Sequence, residues 1–392
     1  MKKKIRIHRP LFQKFLRIIA TIYLKSKGFK IGEKYKVEKG EKVVILSNHV
    51  TDYDPILLAL SVKPYLYVLS TDNIYSTRFN RFFIPYLGGI PKRKGKADIE
   101  SIKKMMYIAS KGGSLMLFPE GNRAYADFQY YIAPNFSSLF YKFKSTILIY
   151  NIVGGFGSYP RFGNKRRKGP LYSKLVKVLK YDEYKDMDPK ELNDIIINNL
   201  KFFDIDTGYK YKSHAKAEYL ERELFVCPKC GSISTLHSKK DEICCSNCGL
   251  SVKYNEDLSL NSKDETFAFK KLSEWYFYKK ELVKNMKIDE GIIFKDEDAI
   301  IKSVNPFELS KKLGKGKIIL TKDTLSIGSY KIDVKDIEIA SPMSKRNLVL
   351  TVKDNNLQIK GNKRFNALKY VLMFNRLDTK MKLEQVDDYF KL

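Results

Sequence analysis

The sequence predicts an α/β fold, a mostly parallel sheet flanked by helices, followed by a cysteine-rich ribbon and a small β-rich domain ending in a helix. Three observations point there. From residue 42 to about 153, short apolar runs alternate with longer helical patterns, the order expected of a parallel sheet with helices around it. Residues 225–256 hold all five cysteines, four of them in two matching Cys-x-x-Cys-Gly units. Residues 299–360 carry short strand patterns broken by turn signals, with an amphipathic helical pattern after them.

In chain order, 43–46 reads as a strand, 55–62 as a helix, 65–69 as a strand and 77–87 as a helix. A short strand at 89–90 leads to a helix over 99–109, with Asp98 available as its cap. Strands follow at 114–118 and 146–153, separated by a helix started by Pro134. The Pro-, Gly- and Arg-rich stretch 161–168 is expected to leave the sheet, and a helix over 189–200, capped by Asp188, carries the domain to a boundary near 222. Beyond the cysteines, 267–284 reads as a helix holding the only tryptophan, Trp275. Strands at 299–304, 317–321, 325–332, 348–352 and 357–360 precede a helix over 365–377. Several strands closed by one terminal helix resemble a pleckstrin-homology-like or related partly open barrel. The expected domains are therefore 1–30, an N-terminal amphipathic helix; 31–222, the sheet with its helices; 223–258, the ribbon; and 259–392, the β-rich part.

The formal net charge is +29, most of it from lysine. Such a field favours polyanions: nucleic acid, an anionic membrane surface, an acidic carrier protein or a phosphorylated substrate. No run of about eighteen apolar residues occurs, so no transmembrane helix is expected. At the N-terminus, Lys2, Lys3, Lys4, Arg6 and Arg9 precede Leu11, Phe12, Phe15, Leu16, Ile18, Ile19, Ile22 and Tyr23, with Lys14, Arg17 and Lys25 among them. That broad apolar face with basic flanks suits a helix lying in the interface of an anionic bilayer, or one packed on its own domain. Charges interrupt the apolar segment and no small-residue site follows, so it does not read as a cleavable signal.

The chain has four histidines, and one of them, His49, lies five positions before Asp54 at the end of an apolar strand. An imidazole with an orienting carboxylate is a general base able to take a proton from a hydroxyl. Two further blocks follow at strand ends: Gly88-Gly89-Ile90-Pro91-Lys92-Arg93 and Phe118-Pro119-Glu120-Gly121-Asn122-Arg123. Guanidinium groups on Arg93 and Arg123 suit a phosphate, which they bind in a bidentate manner. Glu120 suits an alcohol hydroxyl or an arginine. There is no Gly-x-Ser-x-Gly elbow and the cysteines cluster elsewhere, which speaks against a covalent acyl-enzyme.

Together these blocks resemble the glycerolipid acyltransferase family typified by bacterial 1-acyl-sn-glycerol-3-phosphate acyltransferases. His49 and Asp54 match its His-x4-Asp motif, Arg93 the arginine closing its second motif, and Phe118, Pro119, Glu120, Gly121 and Arg123 its third. The resemblance covers about residues 40 to 165. It implies catalysis by His49 with Asp54, and an acceptor-phosphate site shaped by Arg93, Glu120, Gly121 and Arg123. It also implies an acyl-CoA or acyl carrier protein donor and a lysophosphatidate or related lysophospholipid acceptor. Where the family usually carries Thr-Arg-Ser, this chain has Asn122-Arg123-Ala124; its fourth block reads Asn151-Ile152-Val153-Gly154-Gly155; and Pro91 stands where a larger residue is common.

Cys227-Pro228-Lys229-Cys230-Gly231 and Cys245-Ser246-Asn247-Cys248-Gly249 are knuckles separated by fourteen residues. In each, glycine after the second cysteine permits the left-handed turn that brings amides toward sulfur. Cys227, Cys230, Cys245 and Cys248 form a ligand set for tetrahedral structural zinc. Cys244 is left over, and His237 reads as a surface residue of the ribbon. No redox cofactor is expected. The leading expectation is a peripheral membrane acyltransferase on the cytoplasmic face of the cell membrane. The rival is a zinc-ribbon nucleic-acid-binding protein; no aromatic-basic recognition motif supports it, so nucleic acid is not the expected partner.

Overall fold

The computed structural model describes residues 10–71, 74–75, 77–92, 99–288, 290–304, 310–353 and 355–377. Asp98 and the basic residues before Pro10 lie outside them. Contacts divide the chain into two compact units. The first runs to residue 207 without 125–127 and 159–168, which belong to the second together with the chain from 208 onward.

The first unit is built on a six-stranded sheet. In chain order its elements are α1 (Pro10–Ser26), β1 (Val43–Ser47), α2 (Asp54–Ser61), β2 (Leu66–Thr71), α3 (Arg78–Tyr86), β3 (Gly89–Lys92), α4 (Ile99–Ser110) and β4 (Ser114–Leu117). Then come α5 (Ser138–Phe143), β5 (Thr146–Val153), the short α6 (Gly155–Ser158), β6 (Tyr172–Leu179), the short α7 (Tyr181–Tyr184) and α8 (Pro189–Leu200). Strand order is β3-β2-β4-β1-β5-β6. All neighbours are parallel except β6, which runs antiparallel to β5. The central strands β1, β4 and β5 are buried along their whole length, which explains their unbroken apolar sequence.

One face of the sheet packs Val44, Leu46, Leu115, Leu117, Ile147 and Ile149 against α4, α5 and α8 in a single core cluster. The right-handed crossovers β1-α2-β2 and β2-α3-β3 advance in the opposite direction along the sheet, so α2 and α3 cover the other face. The register agrees. Ile90 joins the cluster with α4, while its neighbour Gly89 backs onto Ile84 of α3, where an added Cβ would come 2.3 Å from the isoleucine side chain. On that face α1 lies against α2, its Arg17 donating to the Ala59 and Leu60 carbonyls at 2.6 and 3.4 Å.

The second unit holds a four-stranded antiparallel ribbon, β7 (Leu236–Lys239), β8 (Glu242–Cys245), β9 (Ser251–Tyr254) and β10 (Leu260–Asn261), in the order β10-β9-β8-β7. Next come α9 (Leu272–Asn285) and seven strands, β11 (Phe294–Ser303), β12 (Lys311–Leu320), β13 (Thr324–Ile327), β14 (Tyr330–Asp333), β15 (Ile337–Met343), β16 (Asn347–Val352) and β17 (Asn355–Lys360). They form one antiparallel sheet, β14-β13-β12-β11-β17-β16-β15, and α10 (Ala367–Leu377) packs on β15 and β16. Trp275 of α9 is fully buried and donates from Nε1 to the Val226 carbonyl at 2.9 Å, pinning that helix beside the first cysteine knuckle.

Several elements differ from the sequence reading. The helix expected at Pro134 begins at Ser138, because 134–137 form turns closed by Phe136 N to Ala133 O and Ser138 N to Asn135 O. The helix expected from 267 begins at Leu272, where the Glu274 carboxylate accepts from the Lys270 and Lys271 amides at 2.6 and 3.0 Å. The single strand expected at 325–332 is a hairpin, turned at Gly328 with φ of 60°. β6 and β15 are unpredicted, and β11 and β12 are longer than expected. Lysines at 311, 312, 315 and 317 mask the apolar alternation of β12.

Candidate functional site

The site forms where the adjacent parallel strands β1 and β4 end. The loop after β1 carries His49 and feeds α2, whose first residue is Asp54 with Pro55 behind it. A carboxylate at a helix N-terminus meets unpaired amides and the positive end of the helix dipole. Asp54 is completely buried. Its Oδ2 accepts from Val50 N at 2.7 Å and Thr51 N at 2.8 Å, and its Oδ1 from Thr51 Oγ1 at 2.5 Å. The same Oδ2 lies 2.9 Å from Nδ1 of His49.

Because a carboxylate only accepts, that contact puts the imidazole proton on Nδ1 and leaves Nε2 a lone pair. The His49 side chain is 22% exposed and its ring stacks on Phe118 at 4.2 Å. Carboxylate, stacking ring and backbone therefore fix the imidazole on three sides. Its main-chain oxygen also accepts from Ala124 N at 2.8 Å, tying the first block to the third. The Val50 and Thr51 amides, obvious candidates for stabilising an oxyanion, are already committed to Asp54.

Beyond β4, Gly121 closes a turn on the Phe118 carbonyl at 3.0 Å with φ of 66°, a conformation that favours glycine. That turn buries Glu120. Desolvation pushes its carboxyl up to about 8, against a backbone hydrogen bond from Tyr130 that lowers it and the Asp54 charge that raises it further. Arg123 is a strut as well as a cation: Nε donates to Val50 O at 3.1 Å and an η-nitrogen to Asp52 Oδ1 at 2.7 Å. The structure thus brings His49, Asp54, Glu120, Gly121 and Arg123 together. Arg93 lies outside the described residues. Pro91, two positions before it, sits on the edge strand β3, where a missing N–H costs no ladder hydrogen bond.

In the second unit the Sγ atoms of Cys227, Cys230, Cys245 and Cys248 all lie within 4.8 Å of one another. The Cys227–Cys248 and Cys230–Cys245 separations are 3.6 and 3.8 Å. A disulfide needs about 2 Å, whereas a tetrahedron with metal–sulfur bonds of about 2.3 Å has edges of about 3.8 Å. The knuckles match in their bonding: Gly231 N returns to Cys227 O at 2.9 Å with φ of 68°, and Gly249 N to Cys245 O at 3.0 Å with φ of 73°. Cys244 turns away to Ser251 Oγ at 3.4 Å.

Residues 28–151 match the model of the protein family described as Acyltransferase. Residues 28–151 are therefore similar to an acyltransferase domain. The match spans about a third of the chain and contains every site residue of the first unit. No curated protein matches the chain. Among solved structures, the 1-acyl-sn-glycerophosphate (LPA) acyltransferase PlsC from Thermotoga maritima is similar over 48% of this chain and 77% of that one, with 16% identity and a TM-score of 0.40. A structure titled "A Systematic Screen for Protein-Lipid Interactions in Saccharomyces cerevisiae" is similar over 24% of this chain and 99% of that one, with 14% identity and a TM-score of 0.17.

Sequence reasoning missed four supports of the site in the first unit. Thr51 holds Asp54, and Asp52 neutralises Arg123. Asn48 clamps the end of β1 to β5, its Oδ1 accepting from Ile152 N at 2.7 Å. Asp204 accepts from Gly154 N at 2.6 Å and Gly157 N at 2.9 Å, closing the turn after β5. Thr51 and Asp52 stand between His49 and Asp54, a spacing that hinted at an Asx- or ST-type turn; nothing in the sequence singled out Asp204, about fifty positions downstream.

Proposed function

We propose that the chain is an O-acyltransferase that moves a fatty acyl group from a thioester, acyl-CoA or acyl carrier protein, to the hydroxyl of lysophosphatidate or a related lysophospholipid. The observation that carries this reading is the 2.9 Å contact between His49 Nδ1 and a fully buried Asp54 carboxylate. Nε2 takes the acceptor's hydroxyl proton as its oxygen attacks the thioester carbonyl. The tetrahedral intermediate collapses with loss of the thiolate, and the imidazolium returns the proton to that sulfur. Asp54 keeps the tautomer and stabilises the imidazolium.

Glu120, protonated near neutrality, donates to an acceptor oxygen that an ionised carboxylate would repel. Arg93 and Arg123 hold the acceptor's phosphate, which displaces Asp52 from Arg123. The displacement is cheap because Asp52 is 69% exposed and its pairing is screened by water. Asp52 is thus a counter-ion that keeps the empty pocket neutral.

In the second unit, Cys227, Cys230, Cys245 and Cys248 hold a structural zinc ion, whose charge offsets thiolates that would otherwise repel one another. The order of the seven strands and the closing helix supports a pleckstrin-homology-like assignment for residues 259–392. No described helix is long and apolar enough to cross a membrane. Helix α1 lies instead on the cytoplasmic membrane surface: Phe15, Ile18 and Ile22 are 58%, 59% and 63% exposed, and its bases meet anionic headgroups.

The test is to incubate purified full-length protein with labelled acyl-CoA and a panel of lysophospholipids and to identify the product by mass. An acylated lysophosphatidate or close relative is expected. Hydrolysis of the thioester with every acceptor returned unchanged would refute the reading.

A further inference from the structure

Among the described residues, sixteen large apolar side chains are exposed, and ten of them lie on or beside α1 and α3. The concentration on α3 is the unexpected part. Not one of its nine residues is buried. Phe79 is 67% exposed, Phe82 57% and Phe83 38%, with Ile74 at 40% before the helix and Leu87 at 49% after it. The rings form a continuous edge, Phe79 to Phe83 at 4.2 Å, Phe83 to Phe82 at 5.2 Å and Phe82 to Tyr86 at 5.1 Å. Leaving so much aromatic surface in water costs roughly 1 kcal/mol or more per ring compared with covering it.

Position and charge identify the cover. α3 lies on the same face of the sheet as α1 and α2, opposite the face that α4, α5 and α8 fill. Neither exposed helix contains an acidic residue, while α1 carries Lys14, Arg17 and Lys25 and α3 carries Arg78 and Arg81. A protein partner's apolar interface is normally ringed by a polar rim with no preference for one sign of charge. Aromatic rings on helices whose own charges are all basic fit the headgroup layer of an anionic bilayer.

We propose that α3 is a second membrane-inserting element, its Phe79–Phe82–Phe83 edge entering the same anionic bilayer surface as α1. This rests on the reading of α1 as an interfacial helix. Two short helices on one sheet face define a plane where either alone leaves the domain free to roll. The loop after β1 then has a fixed orientation toward the lipid that supplies its acceptor.

The test uses the full chain and vesicles of phosphatidylcholine with or without phosphatidylglycerol. Phe79→Ser with Phe82→Ser is expected to weaken sedimentation with the mixed vesicles about 10- to 100-fold, with an unchanged melting transition. Phe82→Trp, measured against the wild-type signal of the buried Trp275, is expected to be quenched by bromine-labelled lipid. Arg78→Gln with Arg81→Gln is expected to weaken binding to the mixed vesicles only. Wild-type sedimentation of the serine variant, together with no quenching of the indole introduced by Phe82→Trp, overturns the proposal. Ile18→Asp with Ile22→Asp on α1 separates the two readings. If that variant loses binding while the α3 serine variant keeps it, only the α3 proposal fails. If it binds like wild type while the α3 variant does not, the reading of α1 fails and α3 inserts without it.

Discussion

The His49 loop and the cysteine knuckles both gather polar atoms at the ends of short strands, yet they settle their charge in opposite ways. Asp54 is buried with a complete set of partners from its own chain: two amides, a hydroxyl and an imidazole. Its geometry is finished before any ligand arrives. The four thiols face one another, at 3.6 and 3.8 Å in two of the pairs. As thiolates they need a metal to stay together. A site that must act on a passing substrate is preorganised by protein donors, whereas a site that only has to hold a fold can leave its last component to be bound.

Chelation should break the comparison most severely. Stripping the proposed zinc from the full chain is expected to remove on the order of 10 kcal/mol of stability from the ribbon, read as a new low-temperature unfolding transition in calorimetry and as loss of Trp275 burial by fluorescence. An unchanged transition after verified metal removal would show that the knuckles close without it. Asp54→Asn comes next. The amide would donate to Nδ1 and flip the tautomer, so turnover is expected to fall on the order of 10³–10⁴-fold, with the loop loosened as well because Asn cannot accept every bond that Asp54 does. Steady-state kinetics beside circular dichroism would separate the two effects.

Glu120 sharpens the contrast, since burial near the Asp54 charge raises its carboxyl despite the backbone hydrogen bond from Tyr130. Its carboxyl titrates above the ordinary value, so the folded state is favoured while it is protonated. That contribution is full below pH 4.5 and is lost as pH rises through about 8. Glu120→Gln should therefore stabilise the free protein relative to wild type above pH 8, by up to about 5 kcal/mol, and should leave it unchanged below pH 4.5. Urea unfolding at both ends of that range checks the sign; equal stability of the two proteins at alkaline pH would place the charge elsewhere. The smallest effect belongs to Asp52→Asn, which frees Arg123 of its counter-ion. A KM for phosphate-bearing acceptors lower by about 2- to 5-fold is expected, with kcat unchanged. A rise in KM would mean that the pair is needed to shape the loop.

Much of the first unit was legible because parallel strands buried on both faces must be apolar throughout, and helices between them must show a helical period. The ends of β1 and β4 could be read in the same way, since His49, Asp54, Glu120, Gly121 and Arg123 are polar residues or turn glycine set immediately after such runs. What escaped was whatever depends on distant partners. Asp204 reaches Gly154 across fifty positions, and Asn48 reaches Ile152 across more than a hundred. β6 and β12 alternate lysine with apolar residues, so their half-buried character hides behind charge. Phe79 and Phe82 fall within the helix expected over 77–87; only their position on the sheet reveals that no described residue of the first unit covers them.

The central claim is that His49, held by Asp54, removes the acceptor proton, and one side-by-side assay addresses it. Wild type and His49→Ala, purified with matching melting transitions, are given labelled acyl-CoA and lysophosphatidate. The account predicts acylated product from the wild type and a rate lower by on the order of 10²–10⁴-fold from the variant. Equal rates from the two proteins would contradict it.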